Sequence, residues 1–240
     1  MTSTIDLLTQ HRSIRAFTEQ PLSQEQKEAL VKAGQAASST CFLQCSTIIQ
    51  ITDRELRAKV AELAGNQAFI NQAAEFWVFC ADLNRHLQID PNIDLGFAEQ
   101  LLFGTVDTAI MAQNVMVAAE SLGLGGVYIG GLRVNLPKIT ELLAIPEYVM
   151  PLFGMCLGYP AEEPELKPRL PSSVIVHENG YKPLDKQVLA EYDSMMEAYY
   201  ASRSGTKRTA TWSDRIASQL NKEERHYMLD YLHQQGWIKK

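Results

Sequence analysis

The stretch that decides the fold is DLGFAEQLLFGTVDTAIMAQNVMVAAESL, residues 94–122. Its apolar and small side chains go nearly all round a helix, and a helix that is apolar on every side is typical of a protein core. Gly123 follows directly and is a common helix terminator. The segment therefore predicts a buried central helix that ends at residue 122.

The sequence on both sides of this helix predicts strands and further helices. Capping signals place helix starts at Ser3, Ser23 and Asp53, and the chain is helical again from Asp185, with a break at 204–211. Runs rich in β-branched and aromatic residues predict strands, and Glu162–Pro171, with three prolines, predicts a loop. Because the elements lack a regular βαβ rhythm, we predict an α+β fold with a mixed sheet wrapped by helices. The predicted strands are 46–52, 75–81, 124–132, 151–157 and 173–177.

Composition indicates an ordinary globular protein. Of the 240 residues, 46% are apolar and 21% are charged, which excludes disorder, collagen, coiled coil and a small disulfide scaffold. The net charge of −6 disfavours nucleic-acid binding by bulk charge. Charge is unevenly placed, however, since residues 203–240 carry eight Lys or Arg against four acids. We therefore expect the C-terminal region to bind an anion.

Cysteine usage and the N-terminal sequence predict a cytoplasmic protein. Cys80 and Cys156 lie inside apolar runs, and burial as small apolar residues is also favoured over a redox role for Cys41 and Cys45. The N-terminus lacks a signal-peptide pattern. The sequence has no run of the roughly 18 apolar residues that a membrane span requires, so no span is predicted.

Conventional catalytic signatures are missing. The sequence has no G-x-S-x-G, H-E-x-x-H, C-x-x-C or P-loop motif, and Tyr128 occupies the last glycine position of a G-x-G-x-x-G pattern. The five histidines show no metal-ligand spacing. We therefore predict neither a metal nor a catalytic side chain.

Two cationic clusters could instead bind one phosphate. The first is HRSIR at 11–15, where a helix ends, and the second is Lys167-Pro168-Arg169 in a proline-flanked loop. Guanidinium groups give charge-assisted hydrogen bonds to phosphate oxygens. Either cluster alone is also explained by solvated surface charge. Gly130-Gly131 after a strand would let the backbone approach a flat ligand, although a plain tight turn explains it equally well.

Seven motifs occur along the chain: HRSIR at 11–15, FLQCS at 42–46, EFWVFCAD at 75–82, GLGGVYIGGLR at 123–133, PLFGMCLGYP at 151–160, LKPRLP at 166–171 and WSDRI at 212–216. In this order they resemble the oxygen-insensitive, NADPH-dependent flavin nitroreductases of the NfsA type, and the resemblance runs essentially from end to end. Cys41 departs from the pattern, since it stands where the family usually continues a serine run.

The resemblance implies a single nitroreductase domain over 1–240 that forms an intertwined homodimer, with 185–240 as a C-terminal extension reaching across it. One FMN would occupy each of two sites at the subunit interface. The phosphate would be held by His11, Arg12, Ser13, Lys167 and Arg169, with Ile14 and Pro168 in the same motifs. The isoalloxazine ring of FMN would contact Arg15, Gln67, Tyr128, Ile129, Gly130 and Gly131, together with Ser39 of the other subunit. Arg203 and Arg208 would bind the 2′-phosphate of NADPH.

The family's activity is the implied function: a hydride passes from NADPH to the flavin, and two electrons then pass to nitroaromatics or quinones in a ping-pong cycle. A bound flavin would carry the chemistry, which accounts for the absence of catalytic motifs. One rival keeps the fold but makes the protein a flavin or quinone reductase with incidental nitro activity. Another is a non-catalytic FMN-binding protein, or a regulator that binds a partner through its basic tail.

Overall fold

The computed structural model describes residues 3–202, 211–222 and 224–240. Helices and strands cover most of these residues, and two short 3₁₀ turns lie at Thr40–Phe42 and Gly130–Val134. The helices are α1 Thr4–Thr9, α2 Gln24–Gln35, α3 Arg54–Leu63, α4 Phe69–Gln72, α5 Asn84–Ile89, α6 Ala98–Ser121, α7 Leu136–Leu142, α8 Ser172–Ile175, α9 Lys186–Ser202, α10 Trp212–Leu220 and α11 Met228–Gln234; the strands are β1 Ser46–Gln50, β2 Glu75–Asp82, β3 Gly125–Ile129 and β4 Val149–Gly158.

The four strands form one sheet in the order β1-β2-β4-β3. Every neighbouring pair in this sheet is antiparallel. The parallel component expected of a mixed sheet is reduced to an isolated bridge between Ser13 and Gly126. All residues of β2 are buried, because helices cover both faces of the sheet centre. The predicted α+β class is confirmed.

Helix α6 packs along the sheet but is buried on one side. Gly104 allows a close approach, since a Cβ there would lie 3.2 Å from Cβ of Ala81 in β2. The opposite side exposes Leu102, Val106 and Ile110 by 60%, 47% and 42%. The prediction of a fully buried helix is therefore wrong for the single chain, because an apolar pattern does not say what covers each side.

The same helix also corrects the expectation that no segment is long and apolar enough to span a membrane. By length and composition α6 qualifies as a membrane span, with a mean hydropathy of 1.4. The core helix of a globular protein meets the same criterion, and the side chains of Ala112, Val115 and Met116 lie in the core beside the sheet.

Local capping signals are confirmed. Ser23 and Gln26 form a reciprocal capping box at the start of α2, and Asp53 accepts a hydrogen bond from the Leu56 N–H at the start of α3. The predicted strand at 173–177 is wrong, because residues 173–175 belong to the short helix α8. Its β-branched residues Val174, Ile175 and Val176 favour a strand by propensity, yet a strand also needs a sheet neighbour.

The chain divides into two compact units. The first combines residues 1–164 with residues 225–240, and the second comprises residues 165–224. Tyr231, Leu232 and Trp237 are buried in the first unit beside Leu136 and Met150. The second unit has a small core of its own, made of Tyr192, Met196 and Tyr200.

Three of the four cysteines are buried free thiols, namely Cys45, Cys80 and Cys156. Cys41 is exposed, so its predicted burial is wrong. It lies in a 3₁₀ turn with a φ of 47°, in the left-handed region. The turn directs this residue outward, which hydrophobicity alone does not reveal.

Candidate functional site

The cationic loop 11–15 lies along the beginning of β3. Ser13 pairs with Gly126, and the N–H of Ile14 donates to the carbonyl of Gly126 over 2.9 Å. The Ile14 side chain is buried, and a Cβ at Gly125 would lie only 2.5 Å from its Cγ1. Glycine at position 125 therefore allows the loop to contact the strand.

Two carboxylates hold this loop. Oε1 of Glu120 lies 2.5 Å from Nδ1 of His11, and Oε1 of Glu162 accepts the N–H groups of Arg15 and Ala16 over 2.5 and 2.9 Å. Carboxylate acceptors make hydrogen bonds about twice as strong as neutral ones. The loop is consequently fixed both through its backbone and through the His11 ring.

Arg12 has an unsatisfied donor. Its Nε is buried and has no hydrogen-bond partner among the described residues. A buried donor without a partner costs about 1–3 kcal/mol, so the site is suited to a ligand that brings an acceptor. Arg12 lines a cavity of about 640 Å³ together with Leu7, Gln10, Ile14, Glu120, Leu124, Gly125, Pro160, Ala161, Glu162 and Glu163.

The other end of β3 carries Tyr128, Ile129, Gly130 and Gly131. The four residue steps from Gly126 to Gly130, at about 3.3 Å each, place this turn roughly 13 Å from the Ser13 bridge. The hydroxyl of Tyr128 donates to Oε1 of Gln113 over 3.1 Å. Burial raises the pKa of Tyr128, and the charge of Glu120 adds to the shift. The phenol therefore remains protonated at neutral pH.

Gln67 contacts the glycine turn. Its Nε2 donates to the carbonyl of Ala64 over 2.9 Å. A Cβ at Gly131 would lie 2.1 Å from Nε2 of Gln67 and 2.3 Å from the carbonyl oxygen of Ala64. The fold thus brings Gln67 and Gly131 together from different elements, and glycine at position 131 allows this contact.

Arg133 lies beside the same turn, although sequence reasoning did not select it. Its Nη1 donates to the carbonyl of Leu152 over 2.6 Å, and its own carbonyl accepts from Nε of Arg225 and the hydroxyl of Tyr227. Burial lowers the pKa of Arg133, and the neighbouring charge of Arg225 lowers it further. Its position two residues after Gly131 is the sequence signal that could have identified Arg133 as a site residue.

Ser39 lies in a separate loop. Its Oγ accepts the N–H of Gln44 over 2.9 Å, and buried Asp107 accepts both the N–H and the hydroxyl of Thr40 over 2.8 and 2.9 Å. Cys41 and Gln44 have positive φ angles. Asp107 therefore holds a tight turn beside a cavity of about 510 Å³, which is lined by Val31, Gln35, Ala37, Ser38, Ser39, Gln44, Ser46, Thr47, Ile48, Gln50, Arg85, Asp107 and Met111.

The remaining predicted residues lie outside the first unit. In the second unit, Nζ of Lys167 lies 5.6 Å from the ring centroid of Tyr200, the carbonyl of Pro168 accepts the hydroxyl of Tyr192, and Arg169 is exposed. Arg203 and Arg208 fall outside the described residues. Among the residues that are described, no cluster of three or more His, Cys, Asp or Glu could hold a metal ion.

Comparison with known proteins identifies the family. Residues 8–159 match the Nitroreductase family, and residues 167–240 match the Nitroreductase family C-terminal domain. The chain belongs to the nitroreductase family.

Nitroreductase relatives match the chain over its whole length. It is 58% identical to the oxygen-insensitive NADPH nitroreductase of Salmonella typhimurium, over 99% of each chain. It is 49% identical to the NADPH-flavin oxidoreductase of Vibrio harveyi, over 100% of each chain. The crystal structure of nitroreductase A from Vibrio parahaemolyticus shares 50% identity and a TM-score of 0.95, over 100% of each chain. The predicted nitroreductase fold is therefore confirmed.

Proposed function

We propose that this protein is an NADPH-dependent oxidoreductase that uses bound FMN to reduce nitroaromatic compounds. The observation that carries the proposal is the full-length match to relatives named as NADPH nitroreductase and NADPH-flavin oxidoreductase. Within the fold, loop 11–15 and the Gly130-Gly131 turn lie at opposite ends of one strand. This arrangement supports a ligand with a charged tail and a flat ring.

The residues at the tail end fit a phosphate. The partnerless Nε of Arg12 is a donor that a phosphate oxygen would satisfy, and His11 and Ser13 add further donors. In this proposal, Lys167, Pro168 and Arg169 also contribute to phosphate binding. Two cationic segments would then neutralise one dianion.

The residues at the ring end fit a flat polar ligand. The fully buried Ile129 and the two glycines offer backbone close to a ring face, while Gln67 and the exposed Arg15 offer donors for its polar edge. When bound, FMN would supply the two-electron redox chemistry that links NADPH to the acceptor. The protein would bind and orient the reactants without supplying a nucleophile.

We further propose that the protein is a homodimer. The exposed apolar row Leu102, Val106 and Ile110 repeats every four residues along α6, and monomers rarely leave such rows uncovered. In this proposal, residues 1–240 form one nitroreductase domain and residues 185–240 form an extension across the dimer. Ser39 would contribute to the partner's site.

The proposal extends to the substrates and the location. Arg203 and Arg208 would bind the 2′-phosphate of NADPH, where a guanidinium pair suits a dianion. Nitroaromatics and quinones would take turns with NADPH at the same ring face, which makes the kinetics ping-pong. Four cysteines, none of them in a disulfide, fit a cytoplasmic protein.

An anaerobic absorption experiment tests this function. The purified protein, loaded with FMN, should show the yellow flavin spectrum and bleach on addition of NADPH. A nitroaromatic added next should restore the colour and be consumed in proportion. A protein that binds no FMN would refute the proposal as a whole. One that binds FMN but stays yellow with NADPH would refute the enzymatic function and leave a non-catalytic FMN-binding protein.

A second candidate is a flavin reductase with incidental nitro activity. The name of the Vibrio harveyi relative, NADPH-flavin oxidoreductase, favours it. The two functions differ in the preferred acceptor, so the values of kcat/KM for free FMN, a quinone and a nitroaromatic distinguish them. A value for free FMN ten times higher than the others would make this second candidate the better description.

A further inference from the structure

His11 and Glu120 form a pair that the sequence did not reveal. Nδ1 of His11 lies 2.5 Å from Oε1 of Glu120, and the two side chains are 26% and 11% exposed. We propose, on the basis of the proposed FMN function, that Glu120 is a positioning residue that fixes a proton on Nδ1 of His11 and leaves Nε2 for the FMN phosphate.

The position of Glu120 in its helix explains why it needs a donor. Glu120 lies in the last turn of α6, which ends at Ser121. The partial negative charge at a helix C-terminus disfavours a carboxylate there. A proton donor at 2.5 Å offsets this repulsion, so the carboxylate holds the ring in one orientation.

The chemistry of the pair determines which ring nitrogen remains free. An ionised carboxylate only accepts hydrogen bonds, so Nδ1 must be the donor. Nε2 makes no hydrogen bond within the part of the chain that the structure describes, and in the imidazolium form it donates to a phosphate oxygen.

Other charged groups lie near the pair, but none of those described takes the place of Glu120 as the hydrogen-bond acceptor of the His11 ring. Arg12 follows His11 in the loop, and Glu163 lines the same cavity. Glu162 lines it too, but its Oε1 already accepts the N–H groups of Arg15 and Ala16. Glu120 is therefore the carboxylate in contact with the His11 ring.

The test compares FMN with riboflavin, which has the same ring but no phosphate. Apoprotein carrying Glu120→Gln is titrated with each flavin, and fluorescence quenching gives the two dissociation constants. Glutamine keeps the size of the side chain but replaces the charged acceptor with a neutral amide, so the hydrogen bond that holds the His11 ring becomes weaker. We expect FMN affinity to fall about tenfold and riboflavin affinity to change less than twofold.

A double-mutant cycle with His11→Ala connects the effect to the ring. If Glu120 acts through His11, Glu120→Gln should cause no further loss of FMN affinity when His11 is alanine. Glu141→Gln, a neutralised exposed carboxylate on α7, is the matched control and should leave both flavin affinities unchanged. An equal loss for FMN and riboflavin, or the same loss with alanine at position 11, would overturn the proposal.

A measurement on the unaltered protein keeps the inference testable if the variants fail to fold. Nitrogen-15 NMR of the His11 ring should show Nδ1 protonated in the apoprotein, and an unprotonated Nδ1 would overturn the proposal. Failure of the FMN function itself gives a different result, because the wild-type apoprotein would then bind neither flavin.

Discussion

Replacing Gly131 with alanine should disrupt the turn at the end of β3. The new Cβ would lie 2.3 Å from the carbonyl oxygen of Ala64 and 2.1 Å from Nε2 of Gln67. Ordinary contacts begin near 3.4 Å, so atoms must separate by more than about 1 Å, and backbone on one side prevents a simple rotamer change. Overpacking of this kind costs about 1–3 kcal/mol, and the hydrogen bond from Gln67 to Ala64 adds about 1 kcal/mol. We expect a loss of about 2–4 kcal/mol.

The neighbouring glycine is a matched control. A Cβ at Gly130 would meet Nη2 of Arg133 at 3.3 Å, which is the far end of a flexible side chain. We expect Gly130→Ala to change the free energy of unfolding by about 0.5 kcal/mol or less. Urea unfolding of both apoproteins, followed by circular dichroism, measures the difference. Equal losses for the two variants would show that the close contact of Gly131 with Ala64 and Gln67 does not constrain the turn.

Three further predictions concern the ligand, the subunit interface and pH. Arg12→Ala should weaken FMN binding at least tenfold in a titration of the apoprotein while leaving its unfolding free energy within about 1 kcal/mol, because the lost Nε has no protein partner; undiminished FMN affinity would contradict this. Val106→Asp should shift the sedimentation coefficient from that of a dimer to that of a monomer, since the apolar row of α6 would then carry a charge; an unchanged coefficient would place the interface elsewhere. Burial raises the pKa of Cys45 and Cys156 to about 12, so unfolded thiols lose protons from about pH 9 while the folded ones keep them, and stability should fall between pH 9 and 12 by about 1.4 kcal/mol per pH unit for each thiol. Cys156→Ala should make this fall less steep in urea titrations.

Short-range signals predicted the local structure well. The Ser23–Gln26 capping box and the Asp53 cap depend on residues three positions apart, so the sequence contains both partners. The strand predicted at 173–177 was wrong because β-propensity does not supply a neighbouring strand. Likewise, the periodicity of residues 94–122 predicted the helix but could not distinguish a side that faces the sheet from a side that is exposed in the single chain.

The candidate site was predictable where charge and glycine marked it. Loop 11–15 and the Gly130-Gly131 turn were selected from the sequence, and the structure places them at the two ends of β3. The carboxylates that hold the loop were missed, because Glu120 is 109 residues from His11 and Glu162 is 147 residues from Arg15. Such pairs arise from the fold, and a sequence pattern contains no signal for them.

The first unit is assembled from two pieces of chain that are synthesised at different times. Residues 225–240 supply Trp237 to its core, and the N–H groups of Lys239 and Lys240 donate to the carbonyl of Gly96. A ribosome adding about 5–20 residues per second needs roughly 4–15 s to proceed from residue 165 to residue 240. During that interval the nascent first unit has an uncovered apolar surface around Leu95 and Leu136. Chaperones that bind exposed apolar segments would therefore find a transient client in this chain, and slow translation of residues 165–224 would prolong their opportunity.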